Sequence, residues 1–153
     1  MCTGNICRSP MAEAVFRAHV RDADLSSTVA VESAGTGSWH IGEPAQPNAL
    51  ATLARHGYDG NAHAARVFER AWFDRPGLIV GMDGSHIRAL RTPAGKNADR
   101  LRLLREFDPA AGSDLDVPDP YGGPESEFEY CFELIEAACP GLLAAVRAEI
   151  AVG

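Results

Sequence analysis

The chain has 153 residues, 46% of them hydrophobic and 23% charged, the make-up of one folded domain large enough to bury its own core. Fourteen Lys and Arg against twenty-one Asp and Glu leave a net charge of -7, which sets the surface field against nucleic acid and anionic lipid. No apolar run approaches the roughly 18 residues of a membrane span and the first residues carry no signal core, so no membrane partner is expected and a cytoplasmic location is the default.

In chain order, a loop over residues 2–8 leads into Ser9-Pro10, which reads as a helix N-cap followed by proline at the first helical position. That helix should run to about Asp24, with Met11, Ala14, Val15 and Ala18 on its buried face. Residues 28–34 read as a strand ended by Gly35, and residues 35–47 as a sizeable loop carrying an exposed Trp39-His40 pair. Residues 48–56 form a short helix stopped by Gly57, and residues 78–82 an apolar strand with Asp83 at its C-terminal end. A short helix over 85–90 and a strand over 101–107 follow. At the end, Phe128, Phe132, Ile135, Cys139, Leu142, Val146 and Ile150 make a helical apolar stripe broken at Pro140-Gly141, which predicts one kinked helix or two stacked end to end. The alternation favours an α/β fold, a parallel sheet covered on both faces within one domain over residues 1–153.

The opening segment, Cys2-Thr3-Gly4-Asn5-Ile6-Cys7-Arg8-Ser9-Pro10, sets a thiol and a guanidinium six positions apart at the start of a helix. Curled, its N–H groups converge on one oxyanion, the helix N-terminus adds positive potential, and Arg8 closes the cradle with two charge-assisted hydrogen bonds. The same field favours a thiolate at Cys2, so one loop both binds a group and attacks it. Gly4 suits a tight backbone, Asn5 can tie the loop by side-chain bonds, and Ser9 can donate to the sulfur or cap the helix.

A second loop, Asp116-Val117-Pro118-Asp119-Pro120-Tyr121-Gly122-Gly123-Pro124, offers two carboxylates, Asp116 and Asp119, as donors of a proton to a leaving group. The four cysteines are too few and too uneven for a disulfide framework, and the five histidines lack zinc-ligand spacing, so no metal or other cofactor is expected.

With these residues in place, the chain from Cys2 to the final helix resembles the low-molecular-weight protein tyrosine phosphatases, and its pattern resembles their actinobacterial members. The resemblance implies a Rossmann-like three-layer sandwich with a four-stranded parallel sheet and hydrolysis of protein phosphotyrosine through a cysteinyl-phosphate. By residue match it implies Cys2 as nucleophile, Arg8 as phosphate clamp, and a phosphate-binding loop of Thr3, Gly4, Asn5, Ile6, Cys7 and Arg8. It further implies Asp119 as general acid, Asn5, Ser9, His63 and Asp83 as loop supports, and Trp39 and Tyr121 as walls of a substrate slot. Isoleucine at position 6, where relatives resembling arginine phosphatases carry threonine, favours phosphotyrosine. The expected partner is therefore a phosphotyrosine protein; no oligomeric state is specified. Some actinobacterial members are exported without a cleavable signal, which qualifies the cytoplasmic default.

Three departures stand out. Gly122 replaces the second aromatic of the usual acid loop, and His86 stands where asparagine is common. The largest one is at the front: relatives place an apolar strand before the nucleophile, and here only Met1 precedes it. Losing that strand forfeits roughly 5 to 10 kcal/mol of burial, which predicts a start codon assigned too late or a truncated chain. Two other functions are compatible with the motif: an arsenate reductase of the same fold, whose relay of resolving cysteines Cys131 and Cys139 on the inward stripe of the final helix are poorly placed to supply, and a catalytically silent phosphotyrosine-binding module.

Overall fold

The structure, a computed structural model, describes residues 1–152. Its elements are α1 (Arg8–Asp22), α2 (Pro47–Arg55), β1 (Ile79–Gly81), α3 (Gly84–Ala94), β2 (Leu101–Leu103) and α4 (Glu125–Val152), with short 3-10 turns at Arg70–Asp74, Gly95–Arg100 and Leu104–Phe107.

The assigned sheet has two strands, β1 and β2, parallel and in register from Ile79 opposite Leu101 to Gly81 opposite Leu103. Single parallel bridges extend it on the other side, Cys2 with Gly35 and Gly35 with Val67. Residues 1–3 fill the gap between: Met82 donates its N–H to the Met1 carbonyl at 3.1 Å, and Cys2 donates to the Ala34 carbonyl at 3.3 Å. The order across the sheet is therefore Val67, Gly35, Cys2, β1, β2, a Rossmann-like α/β arrangement in which only β1 and β2 pair over more than one residue.

The main correction concerns residues 28–34, which have strand composition but form no strand: backbone pairing reaches only their end, where Cys2 donates to the Ala34 carbonyl and Gly35 bridges Cys2 and Val67. A strand is a pairing of backbones, and composition cannot supply the partner. Val29 and Val31 still pack against the core. Likewise only Leu101–Leu103 of the expected 101–107 strand is extended; from Leu104 the chain turns so that Leu104 and Arg105 are buried.

Alternation along β1 makes the layers. Val80 packs on the larger core, formed with α1, α2 and α4, while Ile79 packs on a smaller one with Phe73, Leu90, Ala94 and Leu101. Within α1 the buried apolar face is Met11, Val15, Phe16 and Val20, with Ala14 and Ala18 only half-buried. α4 runs as one helix through Pro140. The lost N–H bond is outweighed because Phe128, Phe132, Ile135, Cys139 and Leu142 are all buried on both sides of it, whereas Ile150 emerges at 40% exposure.

Candidate active site

The bridge between Cys2 and Gly35 fixes the base of the opening loop, and α1, beginning at Arg8, fixes its other end. Between them the chain curls. Asn5, not Gly4, takes the left-handed conformation, at φ 58°, which asparagine tolerates better than other non-glycine residues. Gly35 makes the curl fit: a Cβ there would stand 2.6 Å from the Thr3 carbonyl oxygen and 3.2 Å from the Asn5 nitrogen.

Asn5 is fully buried and fully bonded. Its Nδ2 donates to Ser9 Oγ at 2.8 Å and Ser33 Oγ at 3.0 Å, its Oδ1 accepts from the Arg66 N–H at 2.9 Å, and its carbonyl lies 2.6 Å from His63 Nε2. Ser33 in turn donates to Glu13 Oε2 at 2.5 Å. Ser9 therefore does not cap the helix. Arg8 and Ser9 lie inside the first turn, Cys7 is the N-cap without a side-chain bond, and Ser9 Oγ sits 2.9 Å from Cys2 Sγ instead. The Asn5 N–H also donates to that sulfur at 3.2 Å.

The remaining N–H groups carry the chemistry of the loop. Among the described residues, those of Thr3, Gly4, Ile6 and Cys7 have no protein acceptor. Four orphan donors in one curl beside a buried thiol form a site that an oxyanion completes.

Arg8 is 3% exposed, and its Nη1 donates to Asp83 Oδ2 at 2.6 Å and to the Val117 carbonyl at 2.9 Å. Its Nη2 faces Asp119 Oδ2 at 3.5 Å. Burial works to raise the Asp83 pKa, but hydrogen bonds from Ser85 and Arg8 and the nearby positive charge outweigh it and hold the carboxyl at about 2. The two carboxylates of the 116–124 loop separate: Asp119 lines the slot, with Oδ1 accepting from the Tyr121 N–H at 3.2 Å, while Asp116 accepts from the Gly84 N–H at the start of α3.

Cys2, Thr3, Gly4, Ile6, Cys7, Arg8, Trp39, His40, Asp119 and Tyr121 line a slot of about 120 Å³. Trp39 and Tyr121 are 72% and 57% exposed, placing flat aromatic faces at its mouth. His40, not anticipated as a slot residue, lies with its ring against Gly4 and its Nδ1 2.8 Å from Glu43 Oε2. Gly122 has φ 77°, a left-handed conformation that glycine takes without the penalty of a Cβ. A larger hollow, about 240 Å³ between α1 and residues 57–63, holds no cysteine. Its two arginines are already paired, Arg17 with Glu13 and Arg21 with Asp22, so chemistry assigns the site to the smaller slot.

Cys7 is buried beside Cys2, and burial first, then the charges of Asp119 and Cys2, push its thiol up to about 12. It stays protonated while Cys2 receives the donors. His86 is the other residue whose role sequence alone did not give. It is 1% exposed, and burial holds its pKa down to about 4 against the attraction of Asp83. The unfolded ring protonates near 6.5 and the folded one near 4, so the stability its neutral form contributes is complete above pH 6.5 and is lost as pH falls toward 4. We expect unfolding free energy to drop by about 3 kcal/mol across that window, and the slope to be largely absent in His86→Asn. Denaturant unfolding at a series of pH values checks this; parallel slopes in the two proteins would refute it.

The middle of a parallel sheet delivering a buried cysteine into a curl of free N–H groups, with a buried arginine over it, defines a cysteine-based phosphoryl-transfer site. Residues 1–152 match the sequence pattern of the family described as "Low molecular weight phosphotyrosine protein phosphatase". The low molecular weight protein-tyrosine-phosphatase of Streptomyces coelicolor is 59% identical over 153 residues, covering 98% of this chain and 93% of that one. The low molecular weight protein-tyrosine phosphatase A of Mycobacterium tuberculosis is 49% identical over 144 residues, 93% and 86% of the two chains. Among solved structures, YfkJ from Bacillus subtilis superposes with a TM-score of 0.87 at 39% identity, covering 97% of this chain and 92% of that one. The chain belongs to the low-molecular-weight protein tyrosine phosphatase family.

Proposed function

We propose that this chain hydrolyses protein phosphotyrosine in two steps on the slot described above. The observation that carries the reading is the set of four orphan N–H groups around Cys2, under a guanidinium already fixed by Asp83 and Val117. In the first step the Cys2 thiolate attacks phosphorus, the bond from phosphorus to the tyrosyl oxygen breaks, and the Asp119 carboxyl gives its proton to the departing phenol. In the second, water attacks the cysteinyl-phosphate, Asp119 takes the water proton, and the sulfur leaves as thiolate with release of inorganic phosphate. Charge on the phosphoryl oxygens is balanced throughout by Arg8 and the loop N–H groups.

Aryl esters suit the slot because Trp39 and Tyr121 stand at its mouth and Cys2, 3% exposed, lies at its floor. A phosphoserine side chain is too short to span that depth while its backbone stays outside. Paired turnover of phosphotyrosine, phosphoserine and phosphoarginine tests the choice: phosphotyrosine should lead by at least about tenfold, and a lead by either of the others would overturn it. The arsenate-reductase reading loses support from the cysteines of α4. Cys131 and Cys139 are 1% and 0% exposed, and burial raises both thiols, Cys139 to about 12, so neither is placed as a mobile resolving thiolate.

Asp119→Asn tests the acid. The loss should depend on the leaving group: roughly 10²- to 10³-fold in kcat for phenyl phosphate and much less for p-nitrophenyl phosphate, whose phenolate departs without a proton. Equal losses on the two esters would remove Asp119 from that role.

A further inference from the structure

The ring of His86 connects the two arms of the site. Its Nδ1 lies 3.1 Å from the Asp83 nitrogen, and a backbone N–H has a proton to give and nothing with which to accept, so Nδ1 carries the lone pair. The neutral ring must then hold its proton on Nε2, which lies 3.0 Å from Thr3 Oγ1. His86 Nε2–H donates and the Thr3 hydroxyl accepts. The proton of that hydroxyl is left over. Among the described residues Thr3 Oγ1 has no further partner, and Thr3 is an exposed residue on the wall of the slot, next in sequence to Cys2. Free threonine hydroxyls rotate; one that accepts from a fixed donor has its own proton turned away from that donor.

We propose that His86 is a positioning residue of this phosphatase: by donating to Thr3 Oγ1 it keeps the Thr3 hydroxyl proton turned into the slot, as a side-chain donor to the phosphoryl group. The inference rests on hydrolysis at Cys2. It adds to the four loop N–H groups a fifth donor, one that asparagine at position 86 cannot orient, since an asparagine side chain ends near the place of Nδ1 and stops short of Thr3. The charged groups facing the ring are Asp83, whose Oδ1 is 3.3 Å from Nδ1, and more distantly Arg8, the Met1 amino group and Asp119. Burial keeps the ring neutral, and with it the single tautomer, at working pH.

The experiment separates positioning from helix capping, because the two ring nitrogens can be imitated one at a time. His86→Asn retains an acceptor for the Asp83 N–H and loses the donor to Thr3; His86→Gln reaches Thr3 and loses the cap. Thr3→Val removes the hydroxyl at nearly constant shape, and Thr3→Ser keeps it. With an aryl phosphate as substrate and vanadate as inhibitor, we expect Thr3→Val to lose about tenfold in kcat/KM and a similar factor in vanadate affinity. His86→Asn should lose about as much, the double variant no more than either, and His86→Gln and Thr3→Ser should stay within about threefold of wild type. Thr3→Val within twofold of wild type would overturn the proposal even if no His86 variant folds. So would losses in Thr3→Val and His86→Asn that multiply to about a hundredfold in the double variant, or a His86→Gln as impaired as His86→Asn. Cys2→Ser, assayed alongside, tells this failure apart from that of the hydrolytic reading: wild-type turnover that survives Cys2→Ser unchanged would sink the latter and the proposal with it, whereas the Thr3 and His86 outcomes above sink the proposal alone.

Discussion

Cys2→Ser should abolish turnover of aryl phosphates, by roughly 10⁴- to 10⁶-fold in kcat, while leaving phosphotyrosine peptides bound. The expectation follows from what surrounds the sulfur. Ser9 Oγ at 2.9 Å and the Asn5 N–H at 3.2 Å both address it, so negative charge there is solvated by the protein before any substrate arrives. A serine oxygen in the same place ionises far less readily, and as a leaving group in the second step it is much poorer than a thiolate. Binding depends on different atoms. The N–H groups of Thr3, Gly4, Ile6 and Cys7 and the guanidinium of Arg8 are untouched by the change, so the cradle should still take up the phosphoryl group. Calorimetric titration with a phosphotyrosine peptide, beside a steady-state assay, measures both. Residual kcat within tenfold of wild type would remove Cys2 from the chemistry, and a wild type that binds without turning over would make the chain a phosphotyrosine-binding module.

What the sequence made legible divides by the distance over which the information is local. Cys2, the loop and Arg8 lie within seven residues, and the helix start that follows them is written in the same segment, so the cradle is readable without knowing the fold. The acid is not. Asp116 and Asp119 are three residues apart in one proline-rich loop, and only the path of that loop sends Asp119 to Arg8 and Asp116 to the Gly84 N–H. The supports are further removed: Ser33, Arg66 and His86 meet Asn5 or Thr3 across separations of 28, 61 and 83 residues, with no local signal to announce them. Ser9 misled for the opposite reason. A serine before proline has the form of an N-cap, but the tertiary demand for a donor at the sulfur drew the helix start back to Arg8. The strand expected at 28–34 failed because sheet formation is a property of neighbours, and here backbone pairing reaches only its end, at Ala34 and Gly35.

Arg8→Lys should damage catalysis strongly, second only to the change at Cys2, although it keeps the charge. The guanidinium divides its work among three directions: Nη1 gives hydrogen bonds to Asp83 Oδ2 at 2.6 Å and to the Val117 carbonyl at 2.9 Å, and Nη2 turns toward Asp119 and the slot. A lysine has one nitrogen on a flexible stem. Drawn to the Asp83 carboxylate, which burial would otherwise make costly to ionise, it leaves the phosphoryl oxygens without their planar partner; drawn to the phosphoryl group, it leaves Asp83 and Val117 unpaired. Two charge-assisted bonds aimed at the transition state are at stake, and we expect kcat/KM to fall about 10³-fold, most of it in kcat, because the equatorial oxygens gain charge as the tyrosyl oxygen leaves. Asp83→Asn gives the contrast. It keeps one acceptor oxygen for Nη1 and loses the charge and the second acceptor, which Ser85 uses at the start of α3, so the clamp should hold its direction and the loss should be about tenfold. Parallel kinetics on the two variants decide the matter, since an Arg8→Lys enzyme within tenfold of wild type would mean that any cation over the cradle suffices and that the fixed orientation of Arg8 by Asp83 and Val117 contributes nothing to the reaction.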